Sequence, residues 1–291
     1  MQPEERKLYL RIIFDIVFLA IVGIPLLIFF FAATPYKRGF FCDDDSIRYP
    51  YKDSTISNVT LYCVGVLGPA IVMTVAEAVI CKKYKLSYKQ PKVICGFSIS
   101  CFVWQVYRTV GVFAFGACIS QLSTDIAKYS IGRLRPHFID VCQPDMSLTD
   151  CNHSYITEYR CTGSDENKIR EARLSFPSGH ASFSAYSMVY LAIYIQYRLI
   201  CAKNSLLKPF LQAAVLLAAW YTGLSRVVDH KHHWSDVLSG FLLGIIVSLL
   251  VVFFIADLKK PAAAFDDSRT FLTPDASNTY GGEVQLESQT N

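Results

Sequence analysis

The chain has 291 residues, of which 52% are hydrophobic and 18% charged, and its formal net charge is +4. Soluble domains usually carry about 25% charged residues, so the composition argues against a soluble globular protein. The small net charge, without a basic run interleaved with aromatic residues, gives no basis for a nucleic acid partner.

Six apolar stretches follow one another along the chain, at about 12–32, 61–80, 93–119, 182–199, 209–224 and 237–255. Each is close to the roughly 20 residues that cross a bilayer as a helix. Helices are expected because backbone polar groups cannot stay unpaired in lipid. The predicted fold class is an all-α integral membrane protein with six transmembrane helices, spanning residues 12–258.

The segments outside this region are predicted to be short and polar. Residues 1–11 form the N-terminal segment, and the first apolar stretch lacks a small-residue cleavage site, which favours a retained anchor over a signal peptide. Residues 259–291 are rich in Pro, Gly, Ser, Thr and Asp, a composition typical of a disordered tail.

Lysine and arginine are concentrated on one side of such a six-span chain. That side holds both termini, the link 81–92 with its five lysines and no acid, and the basic link 198–208. The positive-inside rule makes it cytoplasmic. The other links, at about 33–60, 120–181 and 225–236, then face the extracellular or lumenal side, and the plasma membrane is the expected location.

The outward links carry further signals. Asn152 begins a glycosylation sequon. An acidic run at 43–45 is interpreted as a solvated loop face rather than a magnesium site. An oxidising compartment would allow the outward cysteines to form disulfides, whose pairing the sequence does not decide. These cysteines are Cys42, Cys142, Cys151 and Cys161.

The first concentration of polar residues, at 128–136, directly follows the third apolar stretch. Lys128 and Arg135 are seven residues apart, and two helical turns would place them on one face. Two cations near the membrane surface suit a phosphate, since arginine binds it bidentately and lysine as a point charge. Anchoring of the helix end to lipid headgroups is the alternative interpretation.

The second concentration is the sequence Pro-Ser-Gly-His at 177–180. Proline and glycine here predict a helix start whose free N–H groups face an anion. Ser178 adds a hydroxyl donor, and His180 can protonate a leaving oxygen. A simple helix cap with an interfacial histidine is the alternative.

The third concentration, at 225–236, forms the whole outward link between the last two apolar stretches. Arg226 offers another guanidinium for phosphate oxygens. His232 and Asp236 are four residues apart, so the carboxylate could hold one ring nitrogen and leave the other free to attack phosphorus. The clustered histidines leave open a transition-metal site, although such exposed clusters more often bind metal non-specifically.

Together the three motifs resemble the signature of the phosphatidic acid phosphatase type 2 superfamily. Lys128-x6-Arg135-Pro136, then the 177–180 motif, then Ser225-Arg226-x5-His232-x3-Asp236 carry the match. Residues 35–47 and 130–138 are also similar to animal lipid phosphate phosphatases, and the likeness covers about residues 9–258. The implied fold has a helical core like that of the related haloperoxidases.

The resemblance implies a lipid phosphatase that needs no metal or other cofactor. His232 would be the nucleophile and form a phosphohistidine, and Asp236 would orient it. His180 would protonate the departing lipid alcohol and then activate water. The implied substrates are phosphatidic acid, lysophosphatidic acid, sphingosine 1-phosphate and ceramide 1-phosphate. The positions implied to bind phosphate oxygens are Lys128, Arg135, Ser178, Gly179 and Arg226.

Other functions remain compatible with the residues. One alternative is a polyprenyl diphosphate phosphatase or a lipid phosphotransferase. Another is a catalytically silent six-span transporter or interaction protein. Transporters normally place polar residues near mid-membrane, whereas the motif residues here sit at the outward ends of the predicted spans. Related proteins are often oligomeric, so a homo-oligomer also remains open.

Overall fold

The computed structural model describes residues 3–83, 92–94, 97–145, 155–199, 206–256 and 258. All of them belong to one compact unit, Met1–Lys259. The α-helices, in chain order, are α1 (Pro3–Phe31), α2 (Asn58–Tyr62), α3 (Gly68–Lys83), α4 (Cys101–Ile131), α5 (Phe138–Cys142), α6 (Glu166–Glu171), α7 (Gly179–Arg198), α8 (Leu207–Val228) and α9 (Trp234–Phe254).

Short elements connect these helices. A π-helical stretch, Cys63–Leu67, joins α2 to α3, so the two helices form one continuous segment. A 3-10 turn, Asp45–Ile47, lies in the first outward link. Strands β1 (Lys92–Ile94) and β2 (Phe97–Ile99) pair in antiparallel fashion before α4.

Five helical segments of the described residues are long and apolar enough to cross a membrane: Glu5–Phe31, Asn58–Lys83, Cys101–Ile131, Leu207–Val228 and Trp234–Phe254. The remaining predicted span, the fourth at about 182–199, corresponds to α7, which has 20 residues and is enclosed by its neighbours. Its buried polar side chains face other helices rather than lipid, so it does not need an apolar surface. They include Ser182, Ser184, Ser187, Tyr186, Tyr190 and Tyr194. The predicted all-α membrane fold is confirmed.

Helix α7 is the centre of the bundle, and it packs against α9, α8, α4 and α3. Small residues allow the closest approaches. A Cβ atom added at Gly244 of α9 would collide with the backbone oxygen of Ser182, and one added at Gly116 of α4 would collide with the Tyr186 ring. Small residues that let backbones approach are a usual device of membrane helix packing. They fix the start of α7 against α4 and α9, where the candidate site lies.

The third span begins later than predicted. Instead of starting near 93, α4 starts at Cys101, where the Ser100 side chain caps it by accepting a hydrogen bond from the Val103 amide at 3.3 Å. Residues 92–94 and 97–99 form the hairpin instead. At the other end α4 continues to Ile131, and Gly132 (φ 57°) terminates it in the left-handed conformation that glycine tolerates best.

The link after α1 and the link between α4 and α7 pack against each other around a hydrophobic cluster. Phe40, Phe138 and Tyr159 form a mutually tilted aromatic cluster inside it. A disulfide joins Cys142 to Cys161, with Cα atoms 4.6 Å apart. Asn152, Cys151 and the tail 259–291 lie outside the described residues, so sequon use and tail disorder stay predictions.

Candidate functional site

A cavity of 1040 Å³ opens between α1, α2, α4, α7 and the end of α8. It brings together six of the eight residues predicted to act in catalysis or phosphate binding. The other two, Asp236 and Ser178, are fully buried beside it rather than lining it. The six lining residues are Lys128, Arg135, Gly179, His180, Arg226 and His232.

The ring of His232 is buried, with one nitrogen committed to a backbone partner. Its Nδ1 lies 2.7 Å from the carbonyl oxygen of Ser175. A carbonyl oxygen only accepts, so Nδ1 carries the proton and Nε2 keeps a free lone pair. Burial first, and then the charges of Arg135 and Lys128, hold the pKa of His232 well below its ordinary value. The ring is therefore neutral at neutral pH, in the form that a nucleophile requires.

Asp236 supports His232 indirectly. Its Oδ2 is 3.9 Å from Nδ1 of His232, which is too far for a hydrogen bond. Instead, the Ser175 hydroxyl donates to Oδ2 at 2.6 Å, and the Ser175 carbonyl holds the His232 ring. The predicted direct hydrogen bond is wrong because His232 precedes the start of α9 at Trp234, so the four-residue spacing is not a helical one.

Arg133 and Ser175 were missed by the sequence interpretation. The guanidinium of Arg133 donates to Asp236 Oδ1 at 2.5 Å and to the Ser235 hydroxyl at 2.9 Å. The available signal was the alternation Arg-Leu-Arg beyond Gly132, because side chains of an extended segment point alternately to opposite sides. Arg135 lines the cavity, while Arg133 reaches behind it to the carboxylate.

Lys128 and Arg135 converge as predicted, but not on one helical face. Lys128 lies in the last turn of α4, whereas Arg135 follows the helix end and forms an ion pair with Glu171 at 3.5 Å. The ammonium of Lys128 approaches the first turn of α7, where a Cβ added at Gly179 would be 3.0 Å from its Nζ. Glycine at this position thus gives a cation access to a helix N-terminus.

Ser178 is the N-cap of α7, and its side chain accepts from the Ala181 amide at 3.4 Å. In this structure the Ser178 hydroxyl therefore acts as a helix cap, which was the alternative interpretation of this motif. The amides at the start of α7 have no partners within the helix and carry its positive dipole end. Because Gly179 and His180 line the cavity, this helix end contributes to an anion-binding site.

The link between α1 and α2 covers one side of the site, which the sequence did not indicate. Arg226 donates to the Ser54 hydroxyl at 3.2 Å and to the Ile56 carbonyl at 3.3 Å. His180 Nε2 lies 3.1 Å from the same carbonyl. Asp229, 3.5 Å from Arg226, accepts from the amide and hydroxyl of Thr55 at 2.8 and 2.7 Å. The link and the third motif therefore form one hydrogen-bonded wall.

The cavity holds more positive than negative side chains. Lys231 joins the predicted cations, with its Nζ 3.5 Å from the centroid of the Tyr51 ring. Burial, reinforced by Arg135 and Arg226, lowers the pKa of Lys231 to about 8. Among the described residues, the buried Nε donors of Arg135 and Arg226 have no hydrogen-bond partner. The surplus of positive side chains that line the cavity favours an anionic ligand.

The histidine cluster is divided among separate partners. Nδ1 of His230 lies 3.2 Å from the Pro50 carbonyl, while His233 Nδ1 lies 3.1 Å from Asp236. Within the described ranges, no group of three or more His, Cys, Asp or Glu residues is arranged to hold a metal ion. The geometry therefore does not favour the transition-metal alternative.

The fold and the cavity define a multi-pass membrane protein with an anion-binding site. The family described as PAP2 superfamily matches residues 109–260. Phospholipid phosphatase 1 of Rattus norvegicus is 43% identical over 249 residues, covering 86% of this chain and 86% of the relative. Phospholipid phosphatase 2 of Bos taurus is 42% identical over 256 residues, covering 88% and 86%. The chain belongs to the PAP2 superfamily. No solved structure matches it.

Proposed function

We propose that this enzyme hydrolyses lipid phosphate monoesters at the cavity, through a phosphohistidine on His232. One observation carries the proposal. The guanidinium groups of Arg135 and Arg226 belong to residues that line the same cavity as His232, whose Nε2 is unprotonated. Two guanidinium donors and a neutral imidazole are what binding and attack of a phosphate require.

The proposed chemistry has two steps. In the first, His232 Nε2 attacks phosphorus and the bond to the lipid oxygen breaks, while His180 gives its proton to the departing alcohol. In the second, His180 takes a proton from water, which attacks phosphorus and breaks the phosphorus–nitrogen bond. Nε2 of His180 faces the Ile56 carbonyl at 3.1 Å and carries one proton, so Nδ1 is the atom that exchanges the other. Burial and then the charge of Arg226 lower the pKa of His180 to about 3, and the negative charge of a bound phosphate would raise it, so that Nδ1 is protonated for the first step.

Preset positive charge would stabilise both steps. Lys128, Arg135 and Arg226 lie around the cavity with the start of α7. Their charge, together with the helix amides, would bind the phosphate oxygens as negative charge develops on them. This supply of positive charge supports a mechanism without a metal ion.

The apolar part of the cavity supports lipid substrates. The end of α1 and the start of the next span provide a hydrophobic wall of the cavity, so that an acyl chain can stay in the bilayer while the headgroup enters. The relatives' names, phospholipid phosphatase 1 and 2, agree with this substrate class. The proposed substrates are phosphatidic acid, lysophosphatidic acid, sphingosine 1-phosphate and ceramide 1-phosphate. The hydrophobic wall is formed by Leu26, Leu27, Phe29, Phe30, Phe31 and Leu61.

The distribution of Lys and Arg supports an outward-facing site. The motifs lie at the ends of α4, α7, α8 and α9 that are remote from the basic links. The cavity would then face the extracellular or lumenal side, at the plasma membrane, with the segments before α1 and after α9 in the cytoplasm.

The direct test compares the unaltered enzyme with His232→Ala. Phosphate release from lysophosphatidic acid in detergent micelles is measured with excess EDTA. We expect activity to survive EDTA and kcat/KM to fall at least about 10⁴-fold in the variant, because its nucleophile is absent. His230→Asn is the matched control, since asparagine tolerates the φ of 56° at that position. Equal activity of the unaltered and His232→Ala enzymes would exclude the mechanism.

A further inference from the structure

Two polar side chains of α4 line the cavity without a role in the proposed chemistry. They are Gln121 and Asp125, and the amide of Gln121 donates to both carboxylate oxygens of Asp125 at 3.1 Å. Lys128 follows Asp125 by three residues, so the three side chains lie on one face of the helix. Asp125 lies about 4.5 Å from Lys128 along the helix axis, on the side away from the outward end of α4.

A carboxylate at this depth needs an explanation. Ionisable residues within membrane helices are costly and usually face a functional cavity. Asp125 is partly buried, and a carboxylate offers about four acceptor positions. Since Gln121 contributes a single nitrogen, the carboxylate retains acceptor capacity on its cavity side.

The pair lines the cavity together with two groups of residues of different chemistry. One group is the phosphate-binding cations, including Lys128. The other is the hydrophobic wall of α1, which is fixed to α4 near Lys128 because the Tyr129 hydroxyl donates to the Phe29 carbonyl at 2.9 Å. Arg170 strengthens this attachment by donating to the Ala33 carbonyl at 2.8 Å and to the Tyr129 hydroxyl at 3.1 Å. A bound lipid would place the atoms next to its phosphate ester here.

We propose that Asp125, held by Gln121, accepts a hydrogen bond from a hydroxyl or ammonium group on the lipid carbon next to the phosphate ester. Asp125 lies one helical turn from Lys128 on the same face of α4, so a lipid whose phosphate contacts Lys128 has its neighbouring carbon in the part of the cavity that Asp125 lines. The inference rests on the proposed function and narrows its substrate class.

The consequence is a preference among lipid phosphates. Lysophosphatidic acid carries a free hydroxyl and sphingosine 1-phosphate an ammonium near the phosphate. Phosphatidic acid carries an ester there, which donates no hydrogen bond and leaves the carboxylate without a partner. A site built to bind a donor discriminates against the analogue lacking it, because its own polar group is then desolvated and unpaired.

A different role for Asp125 would be to balance the charge of Lys128. The two roles predict different patterns. Charge balance acts on the phosphate, which every substrate has, and so changes all substrates alike. Recognition of a donor changes only the substrates that carry one.

The test measures kcat/KM of Asp125→Asn for lysophosphatidic acid, for sphingosine 1-phosphate and for a monoalkyl phosphate of equal chain length that lacks the hydroxyl. We expect a loss of about 10-fold or more for the first two and less than about 2-fold for the third. Glu158→Gln is the control, because that carboxylate is 92% exposed and lies outside the cavity lining.

Gln121→Leu provides an independent variant that keeps the charge next to Lys128. It is expected to lose selectivity in the same direction by a smaller factor, and it decides the question if Asp125→Asn fails to fold. Equal losses on all three substrates, or no loss on any, would overturn the inference while leaving the proposed function intact. An unaltered enzyme inactive on all three would overturn both.

Discussion

Helix α7 has a charged, buried region at each end, and the two regions differ in how their charges are satisfied. At its start, His180 lines the cation-rich cavity. At its end, 18 residues or about 27 Å away, Arg198 lies 3.9 Å from Glu77, which is only 1% exposed. The carboxylate also accepts from Tyr194 at 3.1 Å and Thr109 at 3.4 Å.

The difference shows which buried charges indicate a site. Around Glu77 an acid and a cation face each other, closed in by α3, α4 and α7, and Glu77 is not among the cavity-lining residues. One of its oxygens, Oε2, lacks a hydrogen-bond partner, but a counter-charge is present. In the cavity, by contrast, cations exceed carboxylates and their side chains line an open space. Burial of charge is common to both regions, and the surplus of cations lining a cavity is what distinguishes the functional one.

The largest effect expected in this comparison is on the cavity side, from Arg226→Lys. Lysine cannot reproduce the contacts of the guanidinium with Ser54 and Ile56 while also binding phosphate oxygens. We expect kcat/KM for lysophosphatidic acid to fall about 100-fold, measured by phosphate release. Arg38→Lys, an exposed position outside this cavity, should stay within about 2-fold. Similar losses in both variants would show that the effect is not specific to the site.

At the other end of α7, Glu77→Gln should affect stability and not catalysis. The amide keeps the shape but leaves the buried Arg198 without its counter-charge, which we expect to destabilise the fold by about 2 kcal/mol. Thermal unfolding in detergent should show a lower Tm, while kcat/KM of the folded enzyme stays within about 2-fold. If catalysis fell as far as in Arg226→Lys, the two ends of α7 would be coupled and the distinction would be lost.

The smallest effect expected is a change in pH dependence at Lys231. Its pKa is lowered to about 8, so it is charged below that pH and neutral above it. If this charge helps to attract phosphate, kcat/KM should decline as pH rises through about 8. Lys231→Arg, which stays charged, should shift this decline to higher pH with little change at neutral pH. An unchanged pH profile in the variant would assign the decline to another group.

Much of the membrane architecture could be predicted from the sequence, because apolar length is a strong constraint in lipid. The start of α4 was predicted too early, since the stretch from 93 is mostly apolar and the Ser100 cap marks the true beginning. Helix α7 shows why hydropathy alone is incomplete. Its tyrosines and serines are polar but are buried by neighbouring helices, and this tertiary effect cannot be read from a local window of sequence.

The site was predicted less completely than the fold. The motif residues predicted most of the polar cavity lining correctly, because their side chains carry the chemistry. Ser175 and Ile56 contact His232 and His180 through their backbone carbonyls. Because every residue has a backbone carbonyl, the sequence does not single these two out. Arg133 was hidden for another reason: whether it or Arg135 faces the cavity depends on where α4 ends, which Gly132 sets.

The central claim is that Nε2 of His232 forms the bond to phosphorus. The most direct test stops the reaction of lysophosphatidic acid in alkali, where phosphohistidine persists, and locates the phosphate by mass spectrometry of the peptide containing 230–233. His180→Ala should increase the trapped fraction, because water activation is then slowed. The account predicts phosphate on His232 and none in His232→Ala. Phosphate on His230 or His233, or continued turnover with no phosphorylated peptide, would contradict it.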